Sequence, residues 1–264
     1  MGKKLCAKGR ADGAMDWEFT DYDPGEMEGA FLLVAVPVTR NVPTIVASAL
    51  LRSPQRRLAV AINSDRLPPV SMSYAGVVSG PMHVWALPGP AGPRLAGREL
   101  LVLASDVRLV PEALMGFCGA LARWAKEKRI GFALAIEAAD ADEVPAAPSL
   151  AATYAGEGAL DALGLPKYEG VHAGFNAAFL ARFNQHKLAA AGVFAPSAGD
   201  PVSDATAAVR VLQAIAPLLP RPLVAGNLDR LAHDAAELVA RTLADQEAAR
   251  QGLMASARGD PGYL

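Results

Sequence analysis

An α/β sandwich, with a mostly parallel central sheet between helical layers and a long helix near the C-terminus, is the fold that this sequence predicts. Three observations carry the prediction. The runs 30–38 and 99–105 are apolar without alternation, the pattern of strands buried on both faces of a sheet. Amphipathic helical stretches at 111–128 and 203–219 alternate with such runs, the rhythm of strand–helix–strand units. The composition suits a sizeable core, with 264 residues, 52% of them hydrophobic, and 25 Lys+Arg against 27 Asp+Glu. We expect one α/β domain over 17–252, between flexible segments at 1–16 and 253–264.

In chain order, residues 1–14 are small and basic, with Lys3, Lys4, Lys8 and Arg10. Residues 15–29 are acidic and broken by Asp23-Pro24-Gly25, so ordered structure is expected to begin near Trp17. The run 30–38 is the first strong strand, and 44–53 reads as a helix directly after it. Strands are expected at 58–63, 71–78 and 82–88, divided by Pro68-Pro69, Gly80-Pro81 and the Pro/Gly-rich 88–97. The strand at 99–105 leads into a helix over 111–128, where Leu114, Phe117, Cys118, Leu121, Trp124 and Ala125 fall at helical spacing. Pro111 suits the first turn, and Lys126, Lys128 and Arg129 suit the negative end of the helix. The strand-like run 130–138 completes a crossover of the kind that is almost always right-handed and parallel.

Further along, 149–165 predicts a short helix, and 169–185 passes from a glycine-containing turn into another. Residues 188–196 read as a buried strand. A helix over 203–219 takes Ser203 or Asp204 as its N-cap and sets Val209, Leu212, Ile215 and Ala216 on one face. A last amphipathic helix over 228–250 has Leu228, Leu231, Ala235, Leu238, Val239, Thr242 and Leu243 on its seam. The stretch 253–264 has no periodicity.

The charge balance, −2 overall, gives no clustered positive excess, which argues against nucleic acid as a ligand. Cys6 and Cys118 are far apart and outside any Cys-x-x-Cys pattern, so neither a disulfide framework nor a zinc site is expected, and a reducing cytoplasm is the natural setting. No apolar stretch follows the basic start, and no run reaches the roughly 18 apolar residues of a membrane span. His83, His172, His186 and His233 have no His or Cys partner at ligand spacing, so no metal is expected. Neither Ser197 nor Ser203 stands in a G-x-S-x-G elbow, and no phosphate-binding glycine motif occurs at 170–174.

A crevice at the C-terminal ends of the strands is the candidate small-molecule site. Ser105 and Asp106 follow a central strand, where open α/β sheets bind ligands, although capping the next turn is the commoner role of such residues. His172 lies in the Gly170–Gly174 turn, whose backbone N–H groups could face an anion; a purely structural loop is the alternative. Glu137, Asp140, Asp142 and Glu143 cluster at a strand end, either as paired carboxylates or as a solvated acidic loop. Phe117, Trp124, Phe175 and Phe179 are expected in the core.

The order and spacing of these pieces, over roughly residues 30–245, resemble the proteasome assembly chaperone 2 family, which includes archaeal and actinobacterial members grouped in an ATP-grasp-like superfamily. The pieces are Phe31–Val36 followed by Thr44–Leu51, the segment SDRLPP at 64–69, residues 99–113 with the ARWAKEK helix, and 193–215. Where the family has a glycine-rich turn after the first strand this chain reads VPVTRNVPT, and Glu137-Ala138-Ala139 stands where the family has a Gly-Gly turn. The resemblance implies a Rossmann-like three-layer sandwich, a homo-oligomer (trimer or tetramer), and proteasome assembly or binding in place of catalysis. It also implies that the stiff loop after Asp65, through Leu67-Pro68-Pro69, lies at a subunit interface. No cofactor is implied. The last three residues, Gly262, Tyr263 and Leu264, resemble the hydrophobic-Tyr-any ending by which proteasome activators dock on the α-ring of the 20S core particle, with Gly262 in place of a hydrophobic residue. A flexible tail could insert the ring and its carboxylate between neighbouring subunits, and several tails on one oligomer would add avidity. The reading is a non-enzymatic chaperone or activator-like factor. The rival is an enzyme or a nucleotide- or nucleoside-binding protein using the crevice at Ser105, Asp106, Glu137 and His172.

Overall fold

Every residue of the strand β2 (Phe31–Ala35) is buried, because apolar helices cover both faces of the sheet at this point. The computed structural model describes residues 17–74, 77–87, 98–140 and 147–219, together with Arg230, Asp234 and Glu237. In chain order the other elements are β1 (Trp17–Asp21), α1 (Val42–Leu50), β3 (Arg57–Ser64), β4 (Met72–Tyr74), β5 (Val77–Ser79), β6 (Met82–Leu87), β7 (Leu100–Ser105), α2 (Pro111–Glu127) and β8 (Phe132–Asp140). They continue with β9 (Ser149–Ala152), a 3₁₀ turn (Tyr154–Gly156), α3 (Gly158–Leu163), α4 (Gly174–Gln185), β10 (Ala190–Ser197) and α5 (Pro201–Ile215).

Eight strands form one sheet in the order β1-β3-β6-β7-β2-β8-β10-β9, and β4 and β5 form a separate two-stranded sheet. The fold is α/β, as expected, but the sheet is not mostly parallel. Parallel pairing is confined to the central strands β7, β2, β8 and β10, whereas β1–β3, β3–β6, β6–β7 and β9–β10 are antiparallel. The physical reason is connection length. Antiparallel neighbours need no crossover helix, as β6 returns to β7 within twelve residues, while a parallel pair needs a crossover long enough for a helix. Helices lie in each connection between successive parallel strands: α1 between β2 and β7, α2 between β7 and β8, and α4 between β8 and β10.

The strand alternation sorts side chains into two cores. Leu32, Val34, Leu101, Leu103, Ala133 and Ala135 face α2 and α4 on one side, packing with Phe117, Leu121, Phe175 and Phe179. Phe31, Leu33, Val102, Leu134, Ile136 and Val193 face α1 and α5 on the other, packing with Ile45, Leu50, Val211 and Leu212. The four aromatics assigned to the core from sequence, Phe117, Trp124, Phe175 and Phe179, are all buried there.

Several expectations need correction. The segment 71–78 is not one strand; it supplies β4 and β5, paired from Met72↔Ser79 to Tyr74↔Val77. The start of 149–165 is the edge strand β9 and not a helix, with α3 following it. β1 went unread because its mixed residues, WEFTD, are mostly solvent-facing at the sheet edge. The N-cap of α5 is Asp200, whose carboxylate accepts from the N–H groups of Val202 and Ser203 with Pro201 in the first turn. The helix expected over 228–250 lies outside the described residues except for Arg230, Asp234 and Glu237, which are helical; Arg52 Nη1 donates to Asp234 Oδ2 at 2.9 Å. Among the described residues, no helix is long and apolar enough to cross a membrane.

Candidate functional site

At the C-terminal end of β7, the Ser105 hydroxyl donates to Val107 O at 2.6 Å and accepts from Val107 N at 3.3 Å. Ser105 therefore closes its own turn and is only 4% exposed, which is the capping role set against the ligand role above. Asp106 turns toward the opposite face, where its Oδ2 lies 4.0 Å from Nδ1 of the buried His83. That separation exceeds a hydrogen bond, and burial dominates, holding His83 well below its ordinary value, at about 4.

Two strands away, Glu137 has a different fate from a solvated loop residue. Its carboxylate accepts from Phe175 N and Asn176 N, both at 2.7 Å, so it satisfies two of the free N–H groups that begin α4, whose N-cap Ala173 has no side chain to do so. Gly174 is required here: its φ is +82°, and a Cβ would stand 2.2 Å from Glu137 Oε1. Burial raises the Glu137 carboxyl above its ordinary range, opposed by the two amide donors. Asp140, by contrast, is solvent-exposed and pairs with Arg40, which also reaches Ala139 O at 3.4 Å. Asp142 and Glu143 lie outside the described residues.

His172 packs against Phe194 (ring centroids 5.0 Å apart) and Tyr168 (4.6 Å), and burial lowers its pKa. Phe194 sits beside Glu137 in the β8–β10 register. The structure thus brings Glu137 and the 170–176 segment together and leaves Ser105 and Asp106 apart from them. The anion position at the start of α4 holds the chain's own carboxylate, and Tyr168 and His172 stack on Phe194 of β10.

A polar junction that sequence reasoning missed lies nearby. Asp204, 1% exposed, accepts from the Ser197 hydroxyl at 2.5 Å and from Asn41 N at 2.9 Å, tying the end of β10 and α5 to the start of α1. Ser203 Oγ accepts from Ala198 N at 2.6 Å and lies 3.1 Å from Ser197 Oγ, so both serines serve the turn. Asp200-Pro201 was the available signal, since Asp followed by Pro marks cap and first turn and sends Asp204 to the inner face. Asp204→Ala removes the acceptor of Asn41 N and leaves the Ser197 hydroxyl only its 3.1 Å contact with Ser203, and we expect it to lower stability by about 1–3 kcal/mol in urea unfolding; an unchanged midpoint would mean that water replaces the carboxylate.

Burial pushes the Cys118 thiol far above its usual range, so it is a core residue and not a nucleophile. Among the described residues, no group of three or more His, Cys, Asp or Glu is arranged to hold a metal ion. An open cleft of about 580 Å³ lies at the base of the β4–β5 hairpin, lined by Asn63, Ser64, Asp65, Pro68, Val70 and Pro81 among others. Gly262, Tyr263 and Leu264 lie outside the described residues.

This architecture is similar to several solved structures. Pyrococcus furiosus PbaA, an archaeal homolog of proteasome-assembly chaperone, matches with 16% identity and a TM-score of 0.63 over 89% of this chain and 100% of its own. P. furiosus PbaB, an archaeal proteasome activator, matches with 15% identity and a TM-score of 0.64 over 86% and 98%. A Thermoplasma acidophilum protein of unknown function matches with 14% identity and a TM-score of 0.68 over 88% and 93%. At such identities the likeness is one of fold. No curated protein sequence matches this chain. The family model described as PAC2 family matches residues 34–243, a span that runs from inside β2 to beyond α5. The chain belongs to the PAC2 family.

Proposed function

We propose that this chain is a non-enzymatic proteasome assembly chaperone or activator-like factor that binds the 20S core particle. The family match over 34–243 carries the reading. The likeness of fold to an archaeal homolog of proteasome-assembly chaperone and to an archaeal proteasome activator supports it. So does the state of the strand-end crevice, where Ser105 is engaged in its turn and Glu137 in capping α4. The proposed contact is docking of Gly262, Tyr263 and Leu264 on the α-ring, with the α/β body forming a homo-oligomeric platform in the cytoplasm. The mechanism is binding alone: insertion of an aromatic ring and a carboxylate, multiplied by the number of copies.

The test is surface binding of the full chain to purified cognate 20S particles, beside a variant lacking Tyr263 and Leu264. We expect binding that is lost in the shortened variant with no change in its thermal unfolding. Equal binding by both would retain the partner and discard the tail contact, and no binding by either would overturn the reading. A thermal shift with a nucleotide or nucleoside would favour the rival ligand-binding role.

A further inference from the structure

Between α3 and α4, residues 166–173 form no helix, and only two of their side chains, Tyr168 and His172, are not exposed. Both rings lie over Phe194 of β10, with centroids 4.6 and 5.0 Å from it. Two backbone hydrogen bonds hold the segment to β9, the edge strand of the sheet: Leu150 N donates to Pro166 O at 2.8 Å, and Tyr168 N donates to Leu150 O at 2.9 Å. A glycine with positive φ stands at each end, Gly164 at +63° and Gly174 at +82°, the permissive backbone of a hinge.

His172 is an anchor that a proton weakens. Its Nδ1 is buried with no hydrogen-bond partner, and both ring nitrogens of an imidazolium are donors. Protonation in the closed arrangement therefore adds a buried charge and an N–H without an acceptor, whereas in an open segment water satisfies both. In keeping with this, burial lowers the His172 pKa. The ionisable groups around the ring do not offset the cost. Glu137 near the end of β8 has both oxygens on the α4 amides, and burial keeps Cys118 of α2, beside Glu137, as the neutral thiol. Within the segment the Tyr168 hydroxyl donates to Val171 O at 3.3 Å, and Lys167 and Glu169 are exposed.

We propose that residues 166–173 are a pH-operated strap, closed over Phe194 while His172 is neutral and released between its glycine ends when His172 takes up a proton. Release unstacks Phe194 and removes both backbone partners of Leu150 in the strap, so the eight-stranded sheet gains an unpaired edge in acid. The open strap binds the proton more readily than the closed one. Closure is therefore at full strength above pH 6.5 and weakens as pH falls below it. For one histidine with an ordinary pKa when open, the closed-to-open ratio falls by up to about tenfold between pH 7.5 and pH 5.5.

The test is hydrogen exchange of the full chain followed by NMR at pH 7.5 and pH 5.5, with each amide rate divided by its intrinsic chemical rate at that pH. We expect the protection of the Leu150 and Tyr168 amides to fall severalfold, up to about tenfold, at pH 5.5, while amides in the β8–β10 ladder keep theirs. The variant His172→Phe keeps a ring on Phe194 and removes the proton site, so its strap amides should be equally protected at both pH values. In the unaltered chain the His172 imidazole should titrate below 6.5, a readout that needs no variant. Protection that is the same at both pH values, or an imidazole that titrates at or above 6.5, overturns the proposal. A loss that persists in His172→Phe assigns the trigger to Glu137 and refutes the role of His172. Equal losses in the strap and in the β8–β10 ladder mean global unfolding, and protection that rises in acid means that Glu137 pairs with the imidazolium; either result refutes the strap.

Discussion

Phe179→Ala lowers the unfolding free energy by about 3–5 kcal/mol, the usual range for removing a fully buried aromatic ring. For a chain of this size, that corresponds to a fall of roughly 10 °C in Tm. Phe179 is fully buried, with its ring centroid 6.1 Å from Phe175 and 4.1 Å from Phe183 on the same helix. Phe175 in turn meets Phe117 of α2 at 6.3 Å, and Phe117 meets Trp17 of β1 at 4.8 Å. The alanine therefore leaves a void in a continuous aromatic layer that joins α4, α2 and the sheet edge, and the surrounding strands are too well paired to collapse into it. Phe179→Leu should recover much of the loss. Differential scanning calorimetry decides the matter: a loss below about 1 kcal/mol would mean that the layer repacks freely.

Acidification should destabilise the protein over a defined interval because of His83. In the folded chain its pKa is depressed to about 4 from an ordinary 6.5, so between those values the unfolded chain binds a proton that the folded one refuses. Its contribution is whole above pH 6.5 and declines as pH falls toward 4. The maximum loss is about 3 kcal/mol, at 1.36 kcal/mol per unit. Asp106 lies 4.0 Å from the ring and is partly solvent-facing, and burial is the cause that lowers the pKa. Urea unfolding of the native chain and of His83→Gln at pH 7 and pH 5 provides the measurement. The difference between the two proteins should shrink at the lower pH, and a constant difference would show that His83 is protonated in the fold.

The central strands were legible because burial on both faces leaves an unbroken apolar run, as in β2, β7 and β10. Their neighbours were legible only as strands. β3 and β6 have similar apolar runs whether they pair parallel or antiparallel, since direction depends on which distant segment lies alongside. β1 was hidden by its exposure, because an edge strand with one packed face has little apolar signal in five residues. The candidate site was harder still. Glu137 reads as one acid among several, and nothing near it in sequence reveals that its partners are amides 38 and 39 residues away. Asp200 and Asp204 are interchangeable by residue type; the geometry of a proline-started helix separates the cap from the inward-facing acid.

The position of β2 affects how the chain can be made. It is the first of the four parallel strands to leave the ribosome, yet its two neighbours are β7 and β8, which begin only at Leu100 and Phe132. A nascent chain therefore carries Phe31–Ala35 with no strand on either side until the middle of the protein has been translated, and without both neighbours until Asp140 is free. The amino-terminal half cannot fold ahead of the rest, and fragments ending before that point should be insoluble or degraded.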